Sequence, residues 1–446
     1  MANLTSKIGF SAVVITPTQP DIPLGGYFVR YSTGVHDEIY VRTVYLASKG
    51  EEVFIIACDV LAFYHVFVKR MRKRINRHTG VKEKNILICA LHDHSAPDTV
   101  GLEGIGGFLK YTLTKDWFRI MEKNIIKSAI LAKKNAKPGK IGVKSKLLDR
   151  SEKLIINRRY PRREIKYPLY TVKITRENSS DASIINYPCH GTTLNRDNTL
   201  ISAEWPGYMI KKLEKKFQPH FSMFVNGPCG DINPYLFPEH WDIDKIDVEL
   251  YFEKSYYHYN ALCSYQHTKR IGEKLADHVI ELFKEIKTKE IENIKVYTKT
   301  IEIPVNYNFS NLKFLDRLLI IFKMGLFKLL KIYNRTNVSY FSYIEKNKEL
   351  YVRTELQLIK INDDMLIIAV PAELFSEIGE ELIEKSPIKN TIIIELANDI
   401  IGYVFPLNEC NKGGYEVFGL ASFSGILAGT YIKNKILKMY EELAKD

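Results

Sequence analysis

A short apolar strand that runs into a pair of histidines constrains the fold and chemistry of this chain more than any other feature. Residues 85–90 are apolar enough for a buried strand, His92 and His94 follow them, and Pro97 ends the run. Side chains two residues apart point to the same side of an extended chain, so we expect the two imidazoles to lie together if that geometry continues. Taken alone, such a pair more often contains one packed and one solvated histidine.

Three further strand ends carry side chains that can bind a metal. His190 follows an apolar strand at 183–189, Glu373 follows a strand at 365–370, and Tyr403 comes after a strand at 391–396. Two neutral imidazoles and a carboxylate are the usual protein ligands of a catalytic zinc, with one position left for water. Spacing alone would not select Tyr403, because tyrosine is an uncommon ligand.

Strands and helices alternate along the whole chain, which predicts an α/β fold: a single large domain, residues 1–446, with mixed β-sheets flanked by helices and a zinc site at strand-to-loop junctions. A hairpin is expected around Asn362, and a tight turn at 413–416. Residues 235–265 are rich in tyrosine and are interpreted as an insertion. The predicted helices are 61–78, 115–134, 204–217, 268–286, 374–385 and 422–445.

Composition limits the class of protein and its partners. A hydrophobic content of 46% with 26% charged residues is ordinary for a globular protein, and the net charge of +12 favours an anionic partner. Six scattered cysteines and the lack of a secretory signal pattern predict a reduced, cytoplasmic protein. We expect a small-molecule substrate and an anionic membrane surface as partners, and no nucleic acid; the oligomeric state is not indicated.

Seven short motifs, in order along the chain, resemble the neutral/alkaline ceramidase family, specifically its N-terminal catalytic domain. They are Ile15-Thr16-Pro17 with Pro23-Leu24-Gly25-Gly26-Tyr27 and Gly34-Val35-His36-Asp37, His92-x-His94-Ser95-x-Pro97, Asn157-Arg158, Pro188-x-His190-Gly191-Thr192, Gly230-Asp231-x-x-Pro234, the Glu373 position, and Asn398, Gly402-Tyr403 and Tyr415-Glu416.

The resemblance implies a zinc-dependent amidohydrolase that cleaves an N-acyl amide of an amphiphilic, ceramide-like substrate. It implies that His92, His190, Glu373 and Tyr403 bind Zn2+, and that a zinc-activated water attacks the amide. Beside the metal it implies three catalytic residues. His94 moves the proton, while Arg158 and Tyr415 donate hydrogen bonds to the amide oxygen as it gains charge.

The chain departs from the family pattern in two places. Asn233 stands where the family has a serine, so a serine nucleophile is excluded while a zinc-activated water is not. Only 31 residues follow Tyr415, and they read as a helix, so we expect no C-terminal immunoglobulin-like domain.

Other interpretations of individual residues remain open. Asp59 and Asp231 can fix histidine tautomers, although a plain turn role is the more usual one. Glu373 can cap the helix that follows it. Tyr403 and Tyr415 can be core aromatics, and Arg158 lies in a basic run that is typical of a solvated face.

The alternatives for the whole chain are a zinc hydrolase of another amide or ester, such as an N-acyl sugar or cell-wall component, and a membrane-surface binding protein that has lost turnover. Residues 311–333 form a basic amphipathic segment. We predict that they dock the protein on the inner face of the membrane as a peripheral helix, with a core helix as the alternative.

Overall fold

The structure is a computed structural model that describes residues 6–27, 30–100, 107–238, 263–305, 343–347, 349–418, 422 and 424–445, with the backbone alone at 107–115 and 343. In chain order the strands are β1 (Lys7–Val14), β2 (Gly34–Val35), β3 (Tyr40–Ser48), β4 (Glu51–Cys58), β5 (Ile86–Ala90), β6 (Lys137–Lys146), β7 (Ile155–Asn157), β8 (Leu169–Arg176), β9 (Asp181–Tyr187), β10 (Leu200–Ile201), β11 (His220–Asn226), β12 (Ile232–Pro234), β13 (Lys289–Glu290), β14 (Ile294–Pro304), β15 (Tyr343–Lys346), β16 (Glu349–Ile361), β17 (Met365–Ala369), β18 (Glu373–Leu374), β19 (Asn390–Ile394) and β20 (Tyr403–Val404). The helices are α1 (His65–Thr79), α2 (Gly107–Lys134), α3 (Glu204–Lys216), α4 (Tyr265–Glu285), α5 (Ser376–Glu384), α6 (Glu409–Lys412), α7 (Tyr415–Phe418) and α8 (Ala428–Leu443).

The larger sheet is mixed and has the strand order β11-β9-β8-β6-β1-β3-β4-β5, with β13 beside β6. Its parallel pairs are β4 with β5 and β9 with β11, and α1 and α3 make the two crossovers between them. All five residues of β5 are buried, as expected for an apolar strand covered on both faces. Each crossover leaves the carboxyl ends of its strands at one edge of the sheet, where loops are free to carry functional side chains.

A second mixed sheet has the order β14-β16-β17-β19, with β15 beside β16. The hairpin β16–β17 turns at Asn362, whose φ of 54° lies in the left-handed region that asparagine tolerates. The predicted hairpin is therefore confirmed. Three two-stranded ladders, β2–β10, β7–β12 and β18–β20, complete the sheets of the described residues.

Helices cover the two faces of the larger sheet. On one face, α1 and α2 bury Met71, Trp117 and Ile125 in one hydrophobic cluster; on the other, α3 and α4 bury Trp205 and Leu275 in a second cluster. Gly9 allows α2 to approach β1 closely, since a Cβ at this position would lie 1.9 Å from the carbonyl oxygen of Ala132. The mixed α/β architecture predicted from the sequence is confirmed.

The segment that follows β19 joins the two edges of the larger sheet. The Glu395 amide donates to the carbonyl oxygen of Asn226 at the end of β11 (3.1 Å), and the Asn398 amide donates to Ile88 in β5 (2.8 Å). The ends of β5 and β11, which are far apart in the sequence, thereby come close together, and the loops of the candidate site follow these strand ends.

Some predictions differ from the structure or lie outside it. The tight turn expected at 413–416 is wrong in its second half: Gly413 and Gly414 turn the chain with φ of 70° and 99°, and Tyr415 already begins α7. The basic segment 311–333 and most of the insertion 235–265 lie outside the described residues. Among the helices of the described ranges, none has the length and apolar character needed to cross a bilayer.

Candidate metal centre

The two histidine loops are held against each other by backbone contacts. His92 follows β5 and His190 follows β9, and the loops form a parallel bridge between Asp93 and Gly191. The His94 amide donates to the carbonyl oxygen of Gly191 at 3.2 Å. The imidazoles of His92 and His190 consequently stack edge to face, with ring centroids 4.7 Å apart.

His92 does not continue the strand, so the extended geometry on which the sequence argument was conditional is not met at this residue. Its φ is 59°, a left-handed conformation that costs a non-glycine residue about 1 kcal/mol or more. The turn is held because the Asp93 amide reaches the carbonyl oxygen of Val60 (3.2 Å). The predicted proximity is nevertheless observed, with the Nε2 atoms of His92 and His94 3.2 Å apart.

Backbone carbonyls fix the orientation of both candidate ligands. Nδ1 of His92 lies 3.2 Å from the carbonyl oxygen of Leu61, and Nδ1 of His190 lies 3.0 Å from that of Ile232. A carbonyl only accepts, so each Nδ1 carries the proton and each Nε2 keeps its lone pair for a ligand. Any residue type can supply a carbonyl, so no sequence signal could have identified these partners.

The two aspartates considered for this role have structural partners instead. Asp59 accepts from the Tyr40 amide at 2.7 Å, and Asp231 accepts from the Ser376 amide at 2.7 Å and the Asn157 side chain at 2.6 Å. These contacts join neighbouring elements to one another, and they give neither carboxylate a part in orienting an imidazole.

Glu373 completes the constellation from the opposite side. Its Oε2 lies 3.1 Å from Nε2 of His92 and 3.4 Å from Nε2 of His190, yet this buried oxygen has no aligned hydrogen-bond partner among the described residues. The parallel ladder β18–β20 pairs Glu373 directly with Tyr403. A buried, unpartnered carboxylate oxygen facing two imidazole lone pairs is the donor set that suits zinc.

The ionisation of these groups is coupled. Burial opposes a charge on Glu373, but when no cation is bound the protonated form of His92, followed by that of His190, outweighs burial and holds the pKa of the Glu373 carboxyl well below the usual range. Burial also opposes a charge on His92, while Glu373 raises the pKa of His92 overall. Burial lowers the pKa of His190 to about 4, with His92 and Arg158 adding to the effect. Burial, followed by Glu373, raises the pKa of Tyr403 well above its usual range.

His94 shares the space between the candidate ligands. Nitrogen atoms of His92, His94 and His190 all lie within 4.8 Å of one another, so the three imidazoles could by themselves hold a cation. The remaining nitrogen of His94, Nδ1, is buried without a hydrogen-bond partner in the described part of the chain. It faces Gly26, where a Cβ would lie 2.1 Å from it. Burial and the two other imidazoles lower the pKa of His94 well below its usual range, which keeps the ring neutral.

The predicted donors to the amide oxygen lie on the Tyr403 side of the cluster. The Arg158 guanidinium is 5.6 Å from the ring centroid of Tyr403 and 5.5 Å from that of Tyr415. It donates to Glu416 (2.9 Å), to Oδ1 of Asn233 (2.9 Å) and to the carbonyl oxygen of Gly230. The alternative that Arg158 belongs to a solvated face is not supported, because its side chain is buried.

A buried carboxyl that sequence reasoning missed ties the loops together. Glu395 accepts from the amides of Cys229 (2.9 Å) and Leu374 (3.1 Å), and the Cys229 thiol donates to it at 2.8 Å. It thereby fixes the loop after β11 to the strand that carries Glu373. Burial raises the pKa of Glu395 to about 8. The sequence placed Glu395 inside a predicted apolar strand at 391–396, which gave no sign of this role.

Fold and cluster together define a class: α/β proteins with a buried imidazole–carboxylate centre at converging strand ends. Residues 7–311 match the family model described as neutral/alkaline non-lysosomal ceramidase, N-terminal. The chain belongs to this family.

The curated relatives that the chain matches are distant in sequence. A neutral ceramidase of Drosophila melanogaster is 21% identical over 367 residues, which cover 71% of this chain and 50% of that protein. One from Oryza sativa subsp. japonica is 24% identical over 231 residues, covering 46% of this chain and 28% of the relative. The chain thus spans half or less of the length of these two relatives.

The fold itself is similar over nearly the whole chain to solved structures. The crystal structure of neutral ceramidase from Pseudomonas aeruginosa superposes with a TM-score of 0.74 at 16% sequence identity, covering 99% of this chain and 75% of that one. A structure titled ceramidase complexed with C2 superposes with a TM-score of 0.72 at 15% identity.

Proposed function

We propose that the protein is a zinc-dependent amidohydrolase that cleaves the N-acyl amide bond of an amphiphilic, ceramide-like lipid. The observation that carries this proposal is the unpartnered Oε2 of Glu373, buried between the Nε2 atoms of His92 and His190. Such an arrangement is costly without a cation, because a buried carboxylate oxygen and two lone pairs would face each other unsatisfied.

His92, His190 and Glu373 would hold the metal, with Tyr403 as a fourth ligand from the neighbouring strand. When bound, zinc would supply Lewis-acid activation of a water and of the amide carbonyl. The chain's own contribution is orientation: Leu61 and Ile232 keep both imidazoles in the tautomer that presents Nε2. The pairing of β18 with β20 keeps Glu373 and Tyr403 side by side.

His94 is suited to move the proton. Its ring is neutral and buried beside His92, and it can accept a proton from the attacking water and return it to the leaving amine. Three of the five N–H groups of Arg158 donate hydrogen bonds to Glu416, Asn233 and Gly230. The other two can donate to the amide oxygen of the substrate as negative charge develops on it. Tyr415 is 43% exposed, and its ring lies close enough to Arg158 for its hydroxyl to join that role.

The ceramide-like substrate is inferred from the family and from the relatives named neutral ceramidase. We further propose that residues 1–446 form one catalytic domain that works in the cytoplasm, at the inner face of the membrane. The two alternatives to this proposal are the ones that the sequence left open: a zinc hydrolase of another amide or ester, and a membrane-surface binding protein without turnover.

A substrate panel tests the proposal. Zinc-loaded protein is incubated with ceramides of several acyl lengths, other N-acyl lipids and N-acyl sugars, and the released amine is measured before and after chelation. Amine release from N-acyl lipids that stops on chelation supports the proposal. Release only from N-acyl sugars supports the first alternative, and no release from any substrate contradicts enzymatic function.

A further inference from the structure

The positive charge of the chain is concentrated on two helices. Residues 65–79 and 107–134, which form α1 and α2, contain 13 Lys and Arg residues against 2 Asp and Glu, a net charge of +11. The whole chain carries +12, so the remainder is nearly neutral. Almost all of the net positive charge of the chain therefore lies on α1 and α2, which makes them the strongest candidates for contact with an anionic partner.

The two helices form one continuous layer over the larger sheet. Both bury their apolar residues in the same cluster, and Arg70 and Arg74 of α1 both bind Glu122 of α2. The outer sides of α1 and α2 therefore lie next to each other and point away from the sheet. We call this surface the basic face.

The basic face presents cations that the rest of the described chain does not neutralise. Its exposed members without an ion-pair partner among the described residues are Lys69, Lys73, Arg77, Lys123, Lys127 and Lys134. The two acidic residues of these helices are already engaged, Asp116 with Arg119 and Glu122 with two arginines of α1. Like charges on one face repel one another, and an anionic partner would relieve that repulsion.

Apolar side chains lie among these cations. Val66, Ile120 and Ile130 are 40%, 43% and 37% exposed, on the same outer sides of the helices. Five of the six unpaired cations are lysines, while Arg70, Arg72 and Arg74 are already paired with the carboxylates of Glu122 and Glu355. Arginine forks suit individual phosphates, whereas lysines between apolar side chains suit a diffuse anionic layer with a hydrocarbon boundary.

We propose that the basic face docks the protein on a bilayer of anionic phospholipid. Lysine heads reach the anionic head groups while Val66, Ile120 and Ile130 contact the acyl boundary. The basic face begins close to the candidate metal centre. Its first helix, α1, starts at His65, four residues after Leu61, and the carbonyl oxygen of Leu61 accepts from Nδ1 of His92. Docking would therefore bring the segment between Leu61 and His65 near the membrane. The proposal stands on charge and exposure, independently of the substrate.

Vesicle sedimentation tests the proposal without any substrate. The full-length protein is mixed with phosphatidylcholine vesicles that contain or lack phosphatidylglycerol, and the bound fraction is measured at low and high salt. Binding should require phosphatidylglycerol and weaken with salt. Each basic residue near such a surface contributes about fivefold in affinity, so Lys69→Gln/Lys73→Gln/Lys127→Gln should bind on the order of 100-fold more weakly.

A matched variant separates the basic face from net charge. Lys215→Gln/Lys216→Gln/Lys389→Gln removes the same charge from exposed lysines of α3 and of the segment before β19, outside the basic face. This control should bind nearly as well as the wild type. Equal losses in the two variants, equal binding to vesicles without phosphatidylglycerol, no vesicle binding at all, or binding to duplex DNA but not to vesicles would each overturn the proposal.

Discussion

At the scale of single residues, the site depends on how two imidazoles are turned. His92 adopts a left-handed backbone and His190 an ordinary one, yet both bind a carbonyl oxygen through Nδ1 and face Glu373 through Nε2. His94, two residues from His92, has neither arrangement: its Nδ1 is unpartnered within the described residues and its pKa is lowered. The three histidines are therefore not equivalent, and substitutions should separate their roles.

His94→Ala should leave the metal ligands in place and remove the proton carrier. We expect zinc content to stay near that of the wild type while the rate of amide hydrolysis falls roughly 10²- to 10⁴-fold, the usual effect of losing a positioned acid/base. Elemental analysis and steady-state kinetics measure the two quantities. His78→Ala, at the exposed end of α1, is the control and should change neither. Parallel loss of zinc and rate would instead make His94 a third imidazole ligand.

Asn233→Ala should leave substantial activity. Within the described part of the chain its Oδ1 accepts a hydrogen bond from Arg158, and a hydrogen bond to a charged group is worth about 1.5 kcal/mol. Turnover should therefore remain within roughly tenfold of the wild type. Mass spectrometry during turnover should show no acylated side chain. A trapped acyl-enzyme on any residue would refute a water nucleophile.

The residue types at the site could be predicted from the sequence, but their partners could not. The motifs around His92, His190 and Glu373 pointed to the residues that the structure brings together. The carbonyls of Leu61 and Ile232 carry no sequence signal, and the left-handed turn at His92 depends on a contact with Val60 from a neighbouring loop.

At the scale of secondary structure, short ladders and one buried carboxyl position the site. The β18–β20 ladder aligns Glu373 with Tyr403, and Glu395 joins the strand of Glu373 to the loop after β11. Periodicity predicted the long strands and helices well because they bury a regular pattern of apolar residues. The turn signal at 413–416 misled, because two glycines with positive φ end the turn before Tyr415 and a helix starts where the turn was expected to continue.

Glu395→Gln should change how stability depends on pH. Burial raises the folded-state pKa of Glu395 to about 8 from 4.5, so between these values folding takes up a proton. The free energy of unfolding of the wild type therefore falls as pH rises through this window, by at most about 1.4 kcal/mol per pH unit from this group. Glutamine does not titrate, so the variant should gain stability relative to the wild type up to about pH 8.

Urea unfolding across this pH range measures the difference. The exposed Glu177→Gln variant is the control and should track the wild type throughout. A difference between Glu395→Gln and the wild type that stays constant with pH would show that Glu395 titrates alike in the folded and unfolded chains.

At the scale of the whole molecule, the larger sheet and the segment after β19 bring distant strand ends together. The α/β class followed from the alternation of elements, but the meeting of β5, β9, β17 and β19 did not, because local pattern carries no information on which strand ends converge. Net charge was visible in the composition, whereas its concentration on α1 and α2 became meaningful only once the two helices were seen to share one layer.

Zinc content tests the central claim most directly. Elemental analysis of the wild type should find about one zinc ion per chain, lost in both His92→Ala and His190→Ala, because the remaining ligands would hold the ion poorly. His94→Ala, purified in parallel, should retain it. A wild type that binds no zinc after incubation with the metal, or full zinc occupancy in both His92→Ala and His190→Ala, would contradict a metal centre at these residues.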